Sequence, residues 1–348
     1  MDFQEIWGQE QVVQYLRSSL EKERLAPSLI LHGPEGVGKT FLALLLARNL
    51  ICARGNGQAC GNCSGCRKID PPNSHHPDLR RIHPTGREIR IQQIRDLVRE
   101  IQVRPLEGRR KVFLIEPADR LTTEASNALL KTLEEPPSRG AILLITPNYH
   151  SLLPTVRSRC QALRLQPLAA DLVARFLITA QNLPEADAEL IASITEGRIA
   201  RAATFDFPRF HKRRKRLLNL LADLQGRRYG AAVLRNAEQM ANSAEDLVEE
   251  LDTLLLLFRD IARLVYSPGE APIANRDLRE ELLKLAERFS HRAYQMVERI
   301  EETRRDLQKN VNRYLATQVL LFDLAGAGHA GDPGSGPLRR RVALPGHP

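Results

Sequence analysis

Two groups of residues carry chemistry before any fold is considered. The stretch Gly33-Pro34-Glu35-Gly36-Val37-Gly38-Lys39-Thr40 has the composition and spacing of a phosphate-binding loop. Glycines at 33, 36 and 38 let the backbone turn back so that its N–H groups face one anion, and the N-terminus of a following helix adds partial positive charge. Lys39 is then placed for the β and γ phosphates of a nucleotide, and the Thr40 hydroxyl for Mg²⁺. The second group is Cys52, Cys60, Cys63 and Cys66. Two C-x-x-C steps share Cys63, and the four thiolates match the tetrahedral ligand count of structural zinc. A redox pair would employ two of them and leave two idle. Cys160 stands apart, and His75 and His76 read as a polar loop ahead of Pro77.

These residues need elements to hold them. Leu29-Ile30-Leu31 before the glycine loop and Phe41 to Ile51 after it give the strand, loop and helix order that a phosphate cradle requires. Gln11 to Leu20 reads as an amphipathic helix with Val12, Val13, Leu16 and Leu20 on one face, suited equally to walling an adenine pocket or to plain packing. Ile89 to Val103 is a helix pattern with Ile91, Ile94, Leu97, Val98 and Ile101 inward. Lys111 to Ile115 is a continuous apolar run that ends in Glu116, the mark of a buried parallel strand whose C-terminal end faces a ligand crevice. A P-loop ATPase keeps its Mg²⁺-holding acid there, so Glu116 joins the candidate nucleotide site. Thr122 to Glu135 is a helix closed by Pro136-Pro137, with Ala125, Ala128, Leu129 and Leu133 inward. Ala141 to Ile145 is the next strand. Taken alone, Arg157 and Arg159 near a strand end read as solvated surface charges.

Composition bounds the rest. A chain of 348 residues exceeds one compact core, so two or three domains are expected. With 43% hydrophobic and 27% charged residues, no apolar run long enough to span a bilayer, and a polar N-terminus, it is expected to be neither membrane-spanning nor secreted. Its five cysteines are then expected to be reduced thiols. A net charge of +9 suits a polyanionic partner without identifying one. Residues 209–216 form a basic run, read as a solvated helix face beside a linker in preference to a DNA contact. From Leu217 to Ala325 the pattern is helical throughout, with a wide apolar face over Leu247 to Val265.

Trp7-Gly8-Gln9, the loop Gly33 to Thr40, the cysteine cluster, the run Asn127-Ala128-Leu129-Leu130-Lys131-Thr132-Leu133-Glu134-Glu135-Pro136-Pro137 and Ser158-Arg159-Cys160 together resemble bacterial clamp-loader AAA+ subunits. The likeness is close over about residues 1–205 and loose beyond. It implies an α/β P-loop AAA+ domain over residues 1–166, a parallel sheet flanked by helices, with a zinc module inserted at 52–66. A helical lid at 167–206, an all-α oligomerisation collar at 207–325 and a disordered tail at 326–348 would follow.

Two types within that family compete, the ATP-hydrolysing tau/gamma motor and the delta prime subunit. In the motor type the Mg²⁺-holding acid is followed at once by a carboxylate that polarises the attacking water; here that place is Pro117. Asp119, two residues on, is better suited to starting the next helix. The polar sensor position after the fourth strand falls on Pro147, with Thr146 and Asn148 beside it. The lid sensor arginine falls on Ala200, with Arg201 one residue late, about 100° round the helix. Three altered positions imply the delta prime type, with weak or no hydrolysis of its own.

The resemblance also implies that Arg159 is a trans-acting arginine finger, reaching toward the γ-phosphate held by a neighbour, a contact that can give a rate factor on the order of 10³ or more. The implied partners are tau/gamma and delta subunits in a heteropentamer within the DNA polymerase III holoenzyme, the sliding clamp, primed DNA and the neighbour's ATP. The implied cofactors are structural Zn²⁺ and ATP with Mg²⁺, and the implied location is the cytoplasm, at the nucleoid-associated replisome. The rivals are a tau/gamma-like motor and a zinc-stabilised nucleic-acid-binding module with no nucleotide cycle.

Overall fold

In a computed structural model the apolar runs become one sheet. The structure describes residue 3 and residues 6–55, 58–70, 73–224, 229–267, 273–307 and 311–326. The chain divides into two compact units, Met1–Phe205 and Asp206–Pro348. Apart from Gly326, the tail expected at 326–348 lies outside the described residues.

The first unit opens with α1 (Glu10–Glu21), β1 (Ser28–His32) and α2 (Lys39–Ile51). Then come α3 (Ser64–Lys68), the hairpin β2 (Ile69–Asp70) and β3 (Asn73–Ser74), β4 (Leu79–Ile82), α4 (Ile91–Glu100) and β5 (Lys111–Ile115). It continues with α5 (Thr123–Glu134), β6 (Gly140–Thr146), α6 (Pro154–Arg157) and β7 (Gln161–Arg164), and ends with α7 (Ala170–Gln181), α8 (Glu185–Thr195) and α9 (Ile199–Ala203). Five strands make a parallel sheet in the order β4-β5-β6-β1-β7.

Both faces of that sheet are covered, which is why its strands read as unbroken apolar runs. Leu29, Leu31, Val112, Leu114, Leu143 and Ile145 pack with Leu42, Leu46 and Leu50 of α2 and with Leu16 and Leu20 of α1. Ile30, Phe113, Ile115, Ile142 and Leu144 pack with Ile94 and Leu97 of α4 and Leu129 and Leu133 of α5 on the other face. The fold is the expected α/β arrangement, a parallel sheet flanked by helices with the glycine loop between β1 and α2. Its register pairs His32 with Thr146 and Ile115 with Leu144, so the C-terminal ends of β1, β6 and β5 lie side by side.

The helix expected over Ile89 to Val103 is shorter. Ile89 is instead bridged to the strand-like segment before α5, its N–H donating to the Arg120 carbonyl and its carbonyl accepting from Thr122. Arg90 is the N-cap, Ile101 the C-cap, and Val103 turns out to solvent. The Trp7-Gly8-Gln9 segment has a packing role. Trp7 meets Phe176 of α7 edge-on at 5.6 Å, and the Gln9 amide donates to the Gln166 carbonyl at 2.6 Å and accepts from its N–H at 3.1 Å.

The second unit is helical: α10 (Phe207–Asp223), α11 (Tyr229–Ala241), α12 (Ala244–Tyr266), α13 (Arg279–Phe289), α14 (Ala293–Leu307) and α15 (Arg313–Ala325). Leu247, Leu251, Leu254, Phe258 and Ile261 of α12 recur at three- and four-residue steps and centre its core. The basic run is a solvated helix face only in part: Arg209, His211, Lys212 and Lys215 are exposed, whereas Arg213 and Arg216 are half-buried and Arg214 is buried. Arg209 pairs with Asp246, Arg213 with Glu249 and Arg216 with Glu250, all on α12. Arg214 is buried against Asn275, Asp277 and His211. The acidic residues that answer this run lie more than thirty positions away, out of view of any local pattern.

Candidate functional site

Gly33 leaves β1 with φ 143°, and a Cβ there would stand 2.1 Å from the Leu165 carbonyl oxygen, so the turn requires glycine. Gly38, at φ 94°, is the N-cap of α2. Lys39 is almost fully buried, and its ammonium donates to the Gly33 and Pro34 carbonyls at 2.7 Å each. Burial pulls the Lys39 ammonium below the ordinary lysine value, while Glu35, Glu116 and Asp119 favour its charged form. The Thr40 hydroxyl donates to the Glu116 carboxylate, and Arg81 lies 3.6 Å from the other oxygen of that group. The sheet thus brings Gly33, Gly36, Gly38, Lys39, Thr40 and Glu116 to the C-terminal ends of its strands.

Beside this cradle, Pro117 follows Glu116 through a cis peptide and offers neither carboxylate nor N–H. Asp119 does not start α5, as the sequence suggested. Thr122 caps that helix, accepting from Ala125 N–H at 3.2 Å, and Asp119 instead accepts from the buried Thr146 hydroxyl at 2.7 Å. From α9 the Ala200 N–H donates to the Gly36 carbonyl at 2.8 Å, so Ala200 meets the loop through its backbone. Arg157 is not a solvated charge. Its guanidinium lies 5.1 Å from the Tyr149 ring centroid and donates to His150 Nδ1 at 3.2 Å, and Tyr149 stacks on His32.

The four cysteines of the module meet. Their Sγ atoms all lie within 4.8 Å of one another, with Cys52 and Cys63 3.9 Å apart. Zinc–sulfur bonds of about 2.3 Å in a tetrahedron require sulfurs about 3.8 Å apart, so the set fits a metal of that size. Backbone N–H groups of Asn62 and Cys63 bring the Cys60 thiol down to about 6, whereas burial, with Cys63 and Cys52, pushes Cys66 up to about 12. Cys160, pushed to about 12 by burial alone, packs beside the α5 core and takes no part.

Sequence reasoning missed the support of this module. His76 is buried, and its Nδ1 accepts the Asp78 N–H at 3.0 Å. Asp78, fully buried, accepts from the N–H groups of Leu106, Glu107 and Gly108 at 2.7, 2.8 and 2.8 Å. Those bonds fix a loop whose Glu107 pairs with Lys68 and whose Arg109 donates to the Gly55 carbonyl, inside the cysteine stretch. Only the fold joins Asp78 to positions 106–108.

Arg159 follows α6 and is exposed. Its guanidinium is held by Glu134, the last residue of α5, and by the Thr155 carbonyl and Ser158 hydroxyl. Nothing in the spacing of Glu134 and Arg159 announces that pair.

A family model described as DNA polymerase III, delta subunit, matches residues 8–169, and one described as DNA polymerase III, delta subunit, C terminal, matches residues 208–326. DNA polymerase III subunit delta prime of Bacillus subtilis is 32% identical over 307 residues, which cover 87% of this chain and 92% of that protein. The chain belongs to the DNA polymerase III delta prime family. The delta prime subunit of Pseudomonas aeruginosa is 40% identical over 174 residues, 49% of this chain and 51% of its own length. The tau subunit of Escherichia coli is 38% identical over 167 residues, 48% of this chain but 26% of its own length. A solved gamma subunit-related protein of Thermotoga maritima aligns with a TM-score of 0.46 and 19% identity, covering 90% of this chain and 98% of that one.

Proposed function

We propose that this chain is the delta prime arm of a DNA polymerase III clamp loader, which binds nucleotide without turning it over efficiently and lends Arg159 to a neighbour's ATP. One observation carries the reading. At the end of β5, Glu116 takes the Thr40 hydroxyl, as a Mg²⁺-holding acid would, and the next residue is Pro117 where water activation needs a carboxylate. Lys39, Thr40, Glu116 and the N–H groups of the glycine loop would hold ATP with Mg²⁺, whose polyanionic charge this cradle is suited to neutralise. Cys52, Cys60, Cys63 and Cys66 would hold a structural Zn²⁺, which cross-links the long excursion between α2 and α3. Tau/gamma and delta subunits in a heteropentamer, the sliding clamp and primed DNA are the proposed partners, and the cytoplasm the proposed location.

A second reading, turnover by this chain itself, is favoured by Asp119, which Thr146 orients and which lies within electrostatic reach of Lys39. Nucleotide binding and steady-state turnover on the purified chain separate the two. Binding that a Lys39→Ala chain lacks, with no turnover above that chain, is the expected result. Turnover abolished by Asp119→Asn would establish the motor instead. In a complex reconstituted with the sister subunits, Arg159→Ala is expected to lower ATP hydrolysis while this chain's own nucleotide binding stays intact.

A further inference from the structure

Every nitrogen of the Arg159 guanidinium is engaged by its own chain. Nε donates to Glu134 Oε1 at 2.6 Å, and Nη2 forms an ion pair with the same oxygen. Nη1 donates to the Thr155 carbonyl at 3.0 Å and to Ser158 Oγ at 3.2 Å. Of the guanidinium's five N–H donors, the hydrogen bonds therefore use the Nε–H and the two on Nη1, and Nη2 is held by the ion pair. The two holding elements share one buried core, Leu129 and Leu133 of α5 packing in the same cluster as Val156 of α6. The arm is therefore fixed from two sides by rigid structure.

Folding stability does not account for this arrangement. Arg159 and Glu134 side chains are 33% and 48% exposed, and such pairs contribute about 0–1 kcal/mol. What the pairing does achieve is the restriction of a long side chain that otherwise loses about 2 kcal/mol of rotamer freedom when a partner immobilises it. The contacts also differ in strength. All of these bonds have a charged donor, but only Glu134 is also a charged acceptor and adds ion-pair attraction, whereas Thr155 and Ser158 accept as neutral groups. The Nη1 contacts, made to neutral acceptors, are therefore the weaker ones for a phosphate to replace.

We propose that Glu134 is a positioning residue for Arg159: it holds the Nε edge of the guanidinium so that the Nη end is presented to an anion outside the chain. This rests on the reading of Arg159 as a finger toward a neighbour's ATP. Glu135, the next residue, is not one of the groups that hold Arg159 and provides an internal control.

The test is steady-state ATP hydrolysis by the reconstituted complex carrying Glu134→Ala, Glu134→Gln, Glu134→Asp, Glu135→Gln, Arg159→Ala or the Glu134→Ala/Arg159→Ala pair. Glu134→Ala and Glu134→Gln are expected to reproduce about half or more of the kcat loss caused by Arg159→Ala, at unchanged KM for ATP and unchanged Tm of the chain. Glu134→Asp is expected to recover part of that loss, and Glu135→Gln to behave as the parent. Because Glu134 acts through Arg159, the double variant is expected to be no slower than Arg159→Ala. Parental or raised kcat in Glu134→Ala, or a double variant slower than Arg159→Ala, would overturn the inference while leaving the finger standing. Parental hydrolysis in Arg159→Ala would remove the finger itself, and the inference with it.

Discussion

The demands on single residues are sharpest where backbone meets backbone. Gly33 and Gly86 both have positive φ, 143° and 78°, but a Cβ at Gly33 would lie 2.1 Å from the Leu165 carbonyl oxygen and one at Gly86 would meet nothing within 4 Å. Gly86→Ala is expected to cost about 1 kcal/mol of backbone strain, and Gly33→Ala about 2–4 kcal/mol or more with loss of nucleotide binding. Urea melts of the two variants, paired with nucleotide titration, measure the difference. Equal costs would mean that β7 and the loop give way more easily than this packing indicates. Asp78 makes a pH-dependent demand. Burial raises its carboxyl, but the N–H groups of Glu107, Leu106 and Gly108, with His76, more than offset this and leave it below the ordinary carboxylate value. A carboxyl held below its unfolded value of about 3.9 stabilises the fold above that pH, and this stability is lost as pH falls through the lower folded value. Asp78→Asn is therefore expected to cost about 2–3 kcal/mol at pH 7 and to flatten the decline in stability below about pH 4. Denaturant melts across the acid range read both. His76, whose ring burial keeps below the usual imidazole value, gives a separate decline beginning below about pH 6.5, which the variant retains.

At the scale of elements, the local patterns were legible and the pairings were not. The strand and helix on either side of Gly33 to Thr40, and the buried strand that ends before Glu116, form where their patterns lie because each signal is contained within a dozen residues. The Ile89 pattern overran its helix because Ile89 is buried in the same core while its backbone is bridged to Leu121, and periodicity cannot distinguish that burial from a helix face. The basic run on α10 shows the same limit. Its arginines looked solvated, yet α12 supplies a carboxylate for each of Arg209, Arg213 and Arg216. This seam is unequal along its length. Glu249 is half-exposed, whereas the Glu250 side chain is 6% exposed against Arg216. Glu249→Gln is expected to cost about 0.5 kcal/mol and Glu250→Gln about 2 kcal/mol, measured by urea denaturation. Because these arginines are already neutralised, Arg209→Gln with Arg213→Gln is expected to leave DNA affinity and its salt slope unchanged. An arginine that did neutralise a phosphate would, on replacement, reduce that slope by about 0.9, which anisotropy titrations in a salt series would detect.

At the scale of the whole molecule, each unit has a core of its own. The first is a sheet covered on both faces, with Leu29, Ile30, Phe113 and Leu143 at its centre; the second is the helical cluster around Leu251, Leu254 and Phe258. The division falls between Phe205 and Asp206, and Asp206 is itself the N-cap of α10, accepting the Arg209 N–H at 3.0 Å. A helix that begins with its own cap on one side of a boundary does not need the preceding unit to satisfy its first turn. Cores that are separately closed unfold as separate cooperative steps. Scanning calorimetry of the full chain is therefore expected to show two transitions, and saturating nucleotide is expected to raise only the one that belongs to residues 1–205. The shift follows from binding to the folded cradle alone, about 2.7 kcal/mol at a hundredfold excess over Kd. Chelation is expected to lower that same transition, since Cys52 to Cys66 lie in the same unit. A single transition that moves as a whole with nucleotide would show that the two cores unfold together, against the expectation drawn from their separate clusters.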